Sequence, residues 1–137
     1  MASFLYNSLQ KDLSLGQIIP GTHDFKMMLV TSSYVENRDH AKRSEITNET
    51  SGTGYTAGGQ AVTITFTTDN ANDRTSISIS TPSWTTATFT AAAGVVYRDR
   101  GGAASADELV AFLDFGGDVS VTNGTFSTAE TAPFYLL

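Results

Sequence analysis

The clearest alternation of apolar and hydroxyl side chains in this chain lies in residues 52–66, which read G-T-G-Y-T-A-G-G-Q-A-V-T-I-T-F. In the second half of this segment Val62, Ile64 and Phe66 alternate with threonines. This period of two predicts a strand with one apolar face and one hydroxyl face. The first half contains four glycines, which adopt backbone angles that are barred to other residues. The segment therefore predicts a glycine-rich bend that leads into a strand.

The part of the chain that precedes this bend is less regular. Residues 24–34 form a short apolar run, which predicts a strand that is buried on one face or on both. Residues 35–51 are polar and mix acids with bases, which predicts a long loop with at most one short turn of helix. Loops of this length in compact domains are usually functional or ordered by a partner.

The N-terminal segment leaves two interpretations open. Leu5, Leu9 and Leu13 recur at a four-residue spacing, which indicates a short helix. Ser3 is placed to cap this helix and Gly16 to end it. An arm that docks on a neighbouring molecule would show the same pattern.

Alternation continues after the bend. Residues 75–80 alternate isoleucine with serine and predict a hairpin with the strand that contains Val62, across a turn rich in Asp and Asn. Residues 87–97 predict the longest strand, whose many small residues indicate a central position crossed by another element. One face of this strand is expected to carry Ala87, Phe89, Ala91, Ala93, Val95 and Tyr97. Residues 98–108 predict a flexible and exposed loop.

The C-terminal third predicts three more short strands. Residues 109–115 are apolar on both faces, as in a strand buried between layers. The sequence Gly116-Gly117-Asp118 predicts a turn, and Asn123-Gly124 predicts the type I′ turn of a hairpin between residues 119–122 and 125–128. The last four residues are apolar, which indicates a tail that is buried in a core or an interface.

These segments predict an all-β fold. Seven or eight short strands with regular turns and no alternation of strands with helices are typical of an antiparallel β-sandwich, either jelly-roll-like or immunoglobulin-like. We expect a single domain over residues 1–137, with a short helix or arm in residues 1–20 and a long loop with the glycine-rich bend in residues 35–60.

Composition narrows the classes of function. The chain has 137 residues, no cysteine and a net charge of −6, with its eight lysines and arginines scattered among acids. Because nucleic-acid binding depends on basic residues that neutralise phosphates, a nucleic-acid partner is not expected. The sequence contains no apolar run long enough for a membrane span and no secretory signal, so we expect a protein that is made in a cytoplasm and binds no membrane.

Patterns that could carry catalysis or a cofactor are incomplete. Residues 52–57 fit the dinucleotide pattern G-x-G-x-x-A, but this pattern requires a strand before it and a helix after it, and here a strand follows. His23 beside Asp24 and the isolated His40 do not form a base with an orienting partner, and no G-x-S-x-G motif is present. We therefore expect no enzyme activity and no cofactor.

Two further sets of residues have simpler interpretations than ligand binding. Asp69, Asn70, Asn72 and Asp73 lack the glycine and glutamate of a calcium loop, so they predict a turn and no metal site. The aromatic residues could stack on a sugar or could anchor a core or an interface. They are Trp84, Tyr55, Tyr97, Phe134 and Tyr135.

Five segments resemble a family of small virion proteins of tailed bacteriophages. They are F-K-M-M-L-V-T-S-S-Y (25–34), S-G-T-G-Y-T-A-G-G-Q (51–60), P-S-W-T-T-A-T-F (82–89), A-G-V-V-Y-R-D (93–99) and L-V-A-F-L-D-F-G (109–116). They follow the order of the family and are distributed over residues 25–116, which is most of the chain, and the glycine-rich segment is the most distinctive. The chain departs from the family at Ala91-Ala92-Ala93, where relatives are more polar.

The resemblance implies a capsid decoration (cement) protein that carries no catalytic residues. Its partners would be the major capsid protein and two further copies in a homotrimer, and its location the capsid surface of the virion after synthesis in the bacterial cytoplasm. The alternative is a small tail, neck or baseplate protein, including a receptor-binding head that uses Trp84 or Tyr55 for a glycan. The residues that we expect to contact a partner are Phe134, Tyr135, Leu136, Leu137, Arg38, Lys42 and Arg43.

Overall fold

A computed structural model describes residues 3–128 and 134–136 of the chain. This part contains eight strands, one α-helix and two short 3-10 turns. The strands are β1 (Phe4–Leu5), β2 (Phe25–Val30), β3 (Gln60–Val62), β4 (Ile64–Asp69), β5 (Arg74–Ile79), β6 (Ser83–Arg98), β7 (Leu109–Ser127) and β8 (Phe134–Leu136). The helix α1 is Ser8–Ser14, and the 3-10 turns are Arg43–Glu45 and Ala104–Ala106. The helix is far too short to cross a lipid bilayer.

The strands form two antiparallel sheets, which confirms the all-β prediction. One sheet has five strands in the order β1-β7-β6-β2-β3, and the other has three in the order β4-β5-β8. Neighbouring strands in both sheets run antiparallel. The strand predicted over residues 87–97 lies in β6, which is the middle strand of the larger sheet, as its small residues indicated.

The two sheets share one hydrophobic core. Trp84, Phe89 and Leu29 of the larger sheet belong to the same buried cluster as Ile64 and Ile77 of the smaller sheet. Phe134 and Leu136 of β8 pack against this cluster as partly buried residues. The arrangement is compatible with a sandwich in which the apolar faces of two sheets meet.

A second cluster covers the opposite face of the five-stranded sheet. Met28 and Val30 belong to it, whereas Met27 and Leu29 belong to the shared core. Because neighbouring residues of a strand point to opposite faces, β2 is buried on both sides, which is one of the two arrangements that the apolar run left open. The second cluster also contains aromatic residues that lie outside the strands, among them Tyr6 and Tyr34.

The strand predicted around Val62 is divided between the two sheets. β3 pairs with β2 in the larger sheet, and β4 pairs with β5 in the smaller one, so the chain changes sheets at Thr63. The alternation itself is confirmed, because Val62 and Ile64 are buried while Thr63 and Thr65 are exposed. The predicted hairpin is confirmed as β4–β5, in which Ile64 pairs with Ile79 and Asp69 with Arg74.

The two turns predicted in the C-terminal third are wrong. Gly116-Gly117-Asp118 and Asn123-Gly124 lie within the continuous strand β7, which pairs with β6 along its length. Asn123, at a φ of 47°, lies where the register between β6 and β7 shifts, and so does Gly116, at a φ of 84°. The positive φ values of these residues would also suit a hairpin turn, but here they form bulges. The reason is that β6 pairs with β7 on both sides of each irregularity.

The predicted face of β6 is also wrong. Ala87, Phe89 and Ala91 belong to the shared core, whereas Val95 and Tyr97 belong to the second cluster. The register with β7 shifts between Ala91 and Ala93, and the strand changes its buried face at this point. A bulge of this kind cannot be read from the period of a single strand.

The N-terminal segment contains a helix that is shorter than the leucine spacing indicated. Leu9 is buried in the shared core, but Leu5 belongs to β1 and pairs with Ala111. Ser3 does not cap the helix, because its hydroxyl accepts the Asp114 N–H at 2.9 Å. Gly16 follows the last turn with a φ of 73°, as expected for a residue that ends a helix.

Candidate functional site

The C-terminal strand β8 forms the edge of the three-stranded sheet. Phe134 pairs with Ile77, and Leu136 pairs with Thr75. Tyr135 points away from the core and is 39% exposed, and the Arg74 guanidinium lies over its ring at 3.6 Å from the centroid. The apolar tail is thus partly packed on the core and partly open to solvent. Leu137 lies outside the described residues.

A groove separates β8 from the N-terminal segment. It has a volume of about 270 Å³. Its lining combines apolar with uncharged polar side chains, and Leu9 at its floor is buried while Asn7 and Gln10 at its rim are exposed. An apolar floor with a polar rim is the usual composition of a protein–protein contact. The lining residues are Leu5, Tyr6, Asn7, Leu9, Gln10, Tyr135 and Leu136.

Arg38 lies beside the same groove. Its carbonyl accepts the Asn7 N–H at 3.0 Å, and its guanidinium lies 4.7 Å from the ring centroid of Phe4. The backbone of Arg38 therefore reaches the rim of the groove at Asn7, but its guanidinium lies over a residue of the second cluster and does not line the groove. We refer to the groove together with β8 as the tail surface.

Lys42 and Arg43 lie in a different environment, next to two buried acids. The Arg43 Nε donates to Asp107 Oδ2 at 2.7 Å, and its guanidinium lies 5.0 Å from the Tyr97 ring centroid. Lys42 forms a salt bridge with Glu108 at 3.7 Å. These contacts hold the long loop against residues 98–108, so the two basic residues have structural partners within the chain.

The prediction of an exposed loop over residues 98–108 is wrong at its end. Asp107 is fully buried, and Glu108 is 2% exposed. Burial alone would raise the pKa of Glu108, but two hydrogen bonds from the Arg100 guanidinium and the charge of Lys42 outweigh it and lower the pKa. Glu108 therefore acts as an ionised anchor for the surrounding basic residues.

The glycine-rich bend packs against the larger sheet. Thr53 forms a β-bridge with Thr88 of β6, and a Cβ atom on Gly52 or Gly54 would collide with the backbone of β6. The Tyr55 hydroxyl donates to Glu49 at 2.6 Å and accepts the Leu29 N–H at 3.0 Å. The glycines allow a loop to approach a strand closely, which explains the dinucleotide-like pattern without a nucleotide.

His23 and His40 are candidates for catalysis by residue type. Each forms a hydrogen bond with a nearby residue of the chain. The His23 Nδ1 accepts the Ile19 N–H at 2.9 Å and closes a turn, while His40 Nδ1 lies 3.0 Å from the Tyr34 hydroxyl. Burial, together with the charges of Arg98 and Arg100, lowers the pKa of His23. Within the described part of the chain, neither histidine bonds to a carboxylate that could orient it as a general base.

The Asx-rich turn bonds within itself. Asp69 Oδ2 accepts hydrogen bonds from Asn72 Nδ2 at 3.0 Å and from Arg74 Nε at 3.1 Å. These bonds are those of a turn that closes the β4–β5 hairpin, as the sequence predicted. Within residues 3–128 and 134–136, no three potential ligands among His, Asp and Glu converge on a common point.

Two of the five aromatic residues proposed for a glycan are buried, two are partly buried and Tyr135 is exposed. Trp84 is 1% exposed, and it packs against Tyr55 and Phe126 with ring centroids 6.1 and 5.9 Å away. Tyr97 is also buried, and its hydroxyl donates to the Gly58 carbonyl at 2.6 Å. Trp84 therefore anchors the core and does not present a platform for a sugar ring.

The open edge of β4 was not predicted from the sequence. Ser80 N–H donates to the Thr63 carbonyl at 2.9 Å, so alternate residues of β4 direct their backbone groups to β5. Phe66 and Thr68 consequently direct theirs to the edge of the sheet. The strand reads I-T-F-T-T-D and carries no lysine or proline, the residues that usually protect an edge. Only the sheet order identifies this edge.

The chain was compared with protein-family models, with curated proteins and with solved structures, and none of them matches it.

Proposed function

We propose that this chain is a decoration protein of a tailed bacteriophage, which binds the outside of the assembled head. Five segments of the chain resemble segments of small virion proteins and occur in the same order. This resemblance supports the proposal, above all in the glycine-rich segment 51–60. The geometry adds a role for that segment, because its glycines seat the bend on β6 and β2. The proposed work is structural, and the proposed partner is the major capsid protein.

The single structural observation that carries the proposal is the tail surface. Its apolar floor, its exposed Tyr135 and the three-residue strand β8 give a contact area that a partner can cover. A decoration protein that binds the assembled shell and not its free subunits stabilises the shell by mass action. In this way it opposes the internal pressure of packaged DNA.

The described edges also fit the homotrimer that we propose. A cyclic trimer repeats one heterologous contact, so each copy needs two different surfaces that complement each other. The tail surface and the open edge of β4 are two such surfaces. They lie on opposite edges of the three-stranded sheet, since its strand order is β4-β5-β8.

The test is the occupancy of purified heads by variants of the tail surface. We expect Tyr135→Ala, and more strongly the deletion of residues 134–137, to lower the amount of protein retained on heads. Val119→Ala is the matched control, because Val119 is 41% exposed and Tyr135 is 39% exposed, and Val119 lies in β7 away from the groove. Equal occupancy for all variants would remove the tail surface from the proposal.

The copy number per virion separates this proposal from the alternative of a tail, neck or baseplate protein. A decoration protein is expected at a number comparable with that of the major capsid protein, as measured by quantitative staining of purified particles. A number comparable with that of the tail components would instead assign the chain to the tail.

A further inference from the structure

A recess on the face of the second cluster originates in an irregularity of β7. From the pair Ala91–Val119 to the pair Ala93–Asp114, β6 advances by two residues (91 to 93) while β7 covers five (114 to 119). The additional residues of β7 leave the ladder, and both glycines of this bulge have positive φ values, 84° at Gly116 and 148° at Gly117. The bulge borders a cavity of about 290 Å³.

The recess has an apolar floor. Val30, Ala93 and Phe112 line it and are each at most 3% exposed, and the buried Tyr34 also lines it. The rings of Tyr34 and Phe112 lie with their centroids 5.9 Å apart. The hydroxyl-bearing residues Thr31 and Ser32 complete the wall. This volume and this composition suit a single side chain better than a larger molecule.

One carboxylate stands in the lining of the recess. Asp114 Oδ1 accepts the Gly116 N–H at 2.9 Å, which fixes the orientation of the carboxylate on the bulge. The Asp114 backbone N–H donates to the Ser3 hydroxyl. Among residues 3–128 and 134–136, no basic side chain forms a salt bridge with Asp114. The recess is therefore lined by a carboxylate and by two aromatic rings, and no cation from this part of the chain pairs with the carboxylate.

This combination of a carboxylate and aromatic rings is the chemistry that recognises a guanidinium. A planar guanidinium donates paired hydrogen bonds to a carboxylate and stacks on aromatic faces. The same aromatic group already accommodates one, because Arg38 lies over Phe4, and Phe4 stacks on Phe112 with centroids 5.0 Å apart. We propose that the recess beside Asp114 binds an arginine side chain presented by a partner protein.

This assignment does not depend on the proposed function, since it rests on the recess alone. It adds a second contact, separate from the tail surface, and it names the residue type that the partner supplies. The net charge of −6 on the chain also favours a basic partner, as an arginine-bearing protein would be.

The test uses small probes and the full chain in solution. N-acetyl-arginine-N-methylamide is titrated into isotope-labelled protein, and the amide resonances of Gly116, Gly117 and Asp114 are followed by NMR. We expect saturable shifts at these amides. N-acetyl-citrulline-N-methylamide, which has nearly the same shape and no charge, is expected to leave them unchanged.

Two aspartates on the same strand give a matched pair of variants. Asp114→Asn keeps the Oδ1 acceptor for Gly116 and removes the charge, and we expect it to weaken arginine binding by about tenfold or more, as for a lost charge-assisted bond. Asp118→Asn makes the same chemical change at an exposed position outside the recess and is expected to bind as the wild type does.

A third variant keeps the proposal testable if Asp114→Asn alters the fold. Ala92 lines the recess and is partly exposed, so Ala92→Leu fills the space without changing any charge and is expected to abolish the shifts. The assignment is overturned if the arginine probe causes no saturable shift, if the citrulline or the corresponding lysine probe binds equally well, or if Asp114→Asn and Asp118→Asn behave alike.

Discussion

At the scale of single residues, short charge-assisted hydrogen bonds join two buried acids to arginines. Asp107 accepts from Arg43 at 2.7 Å, and Glu108 accepts from Arg100 at 2.7 and 2.9 Å. Both acids are at most 2% exposed. A buried acid costs free energy unless it is paired and hydrogen-bonded, so these pairs fix the position of the long loop against residues 98–108.

We expect Glu108→Gln to lower the free energy of unfolding near neutral pH by about 1–3 kcal/mol, because the charge-assisted bonds to Arg100 are lost. The loss depends on pH. The pKa of Glu108 is lowered in the folded protein from its ordinary value of 4.5. The unfolded chain therefore takes up a proton on Glu108 at a higher pH than the folded protein does. The stabilisation by this group is complete above about pH 4.5 and disappears as the pH falls through the lower, folded pKa.

Urea unfolding at a series of pH values checks this prediction. The difference in free energy between the wild type and Glu108→Gln should be largest near neutral pH and should shrink below pH 4.5. Asp118→Asn serves as a control, because Asp118 is exposed and forms no salt bridge within the described part of the chain. A difference that is the same at every pH would show that Glu108 contributes through packing alone.

At the scale of elements, the glycine-rich bend and the bulges of β7 decide how strands and loops approach each other. Gly59 has a φ of 82°, and a Cβ atom at this position would overlap the carbonyl of Met27 in β2. The bend thus reaches the edge of the larger sheet only because this residue has no side chain. β3 then pairs with β2, starting at Gln60 opposite Met27.

We expect Gly59→Ala to destabilise the fold by about 3 kcal/mol or more, because the strain of a left-handed alanine adds to the overlap with β2. Gly101→Ala is the matched control. Gly101 has nearly the same φ, 81° against 82°, but no described atom lies within 4 Å of the position that a Cβ would occupy there. The control is expected to cost only about 1–2 kcal/mol, the cost of the backbone conformation. Equal losses in urea unfolding of the two variants would contradict the close approach of the bend to β2.

At the scale of the whole molecule, the shared core links the two sheets. Ile77 of the smaller sheet is fully buried in the cluster that contains Trp84 and Leu29 of the larger sheet. The chain crosses between the sheets at Thr63 with only one residue between β3 and β4. Neither sheet can lose its partner without exposing this core to water, which is costly in proportion to the apolar area.

We therefore expect both sheets to unfold in one cooperative transition. Trp84 is the only tryptophan of the chain and reports on the larger sheet by its fluorescence, which is expected to be blue-shifted because the ring is 1% exposed. The amide protons of β5 report on the smaller sheet by hydrogen exchange. The two probes should give the same free energy of unfolding. A lower value for β5 would show that the smaller sheet opens by itself.

The sequence predicted those features that depend on neighbours along the chain. The alternation around Val62 and Ile77 indicated the β4–β5 hairpin, and the apolar run of β2 indicated a strand that is buried on at least one face. It failed at Asn123-Gly124 and at Gly116-Gly117, because glycine and asparagine allow a positive φ equally well in a hairpin turn and in a bulge. Whether such residues form a turn or a bulge depends on whether the partner strand continues to pair beyond them.

The candidate contacts divide in the same way. The apolar tail was recognised from residue type, but its position beside α1 depends on the pairing of β8 with β5. The recess beside Asp114 and the open edge of β4 have no local signature. Each arises from the register or the order of strands.

The sequence by itself therefore determined an all-β antiparallel chain, because the period of two that marks a strand is written in adjacent residues. The tertiary structure alone decided which glycines form turns and which form bulges, that Asp107 and Glu108 are buried, and where the candidate contact surfaces lie. These outcomes depend on contacts between residues far apart in the chain, such as Arg43 with Asp107, and the free energy of such a contact exists only once both segments are in place.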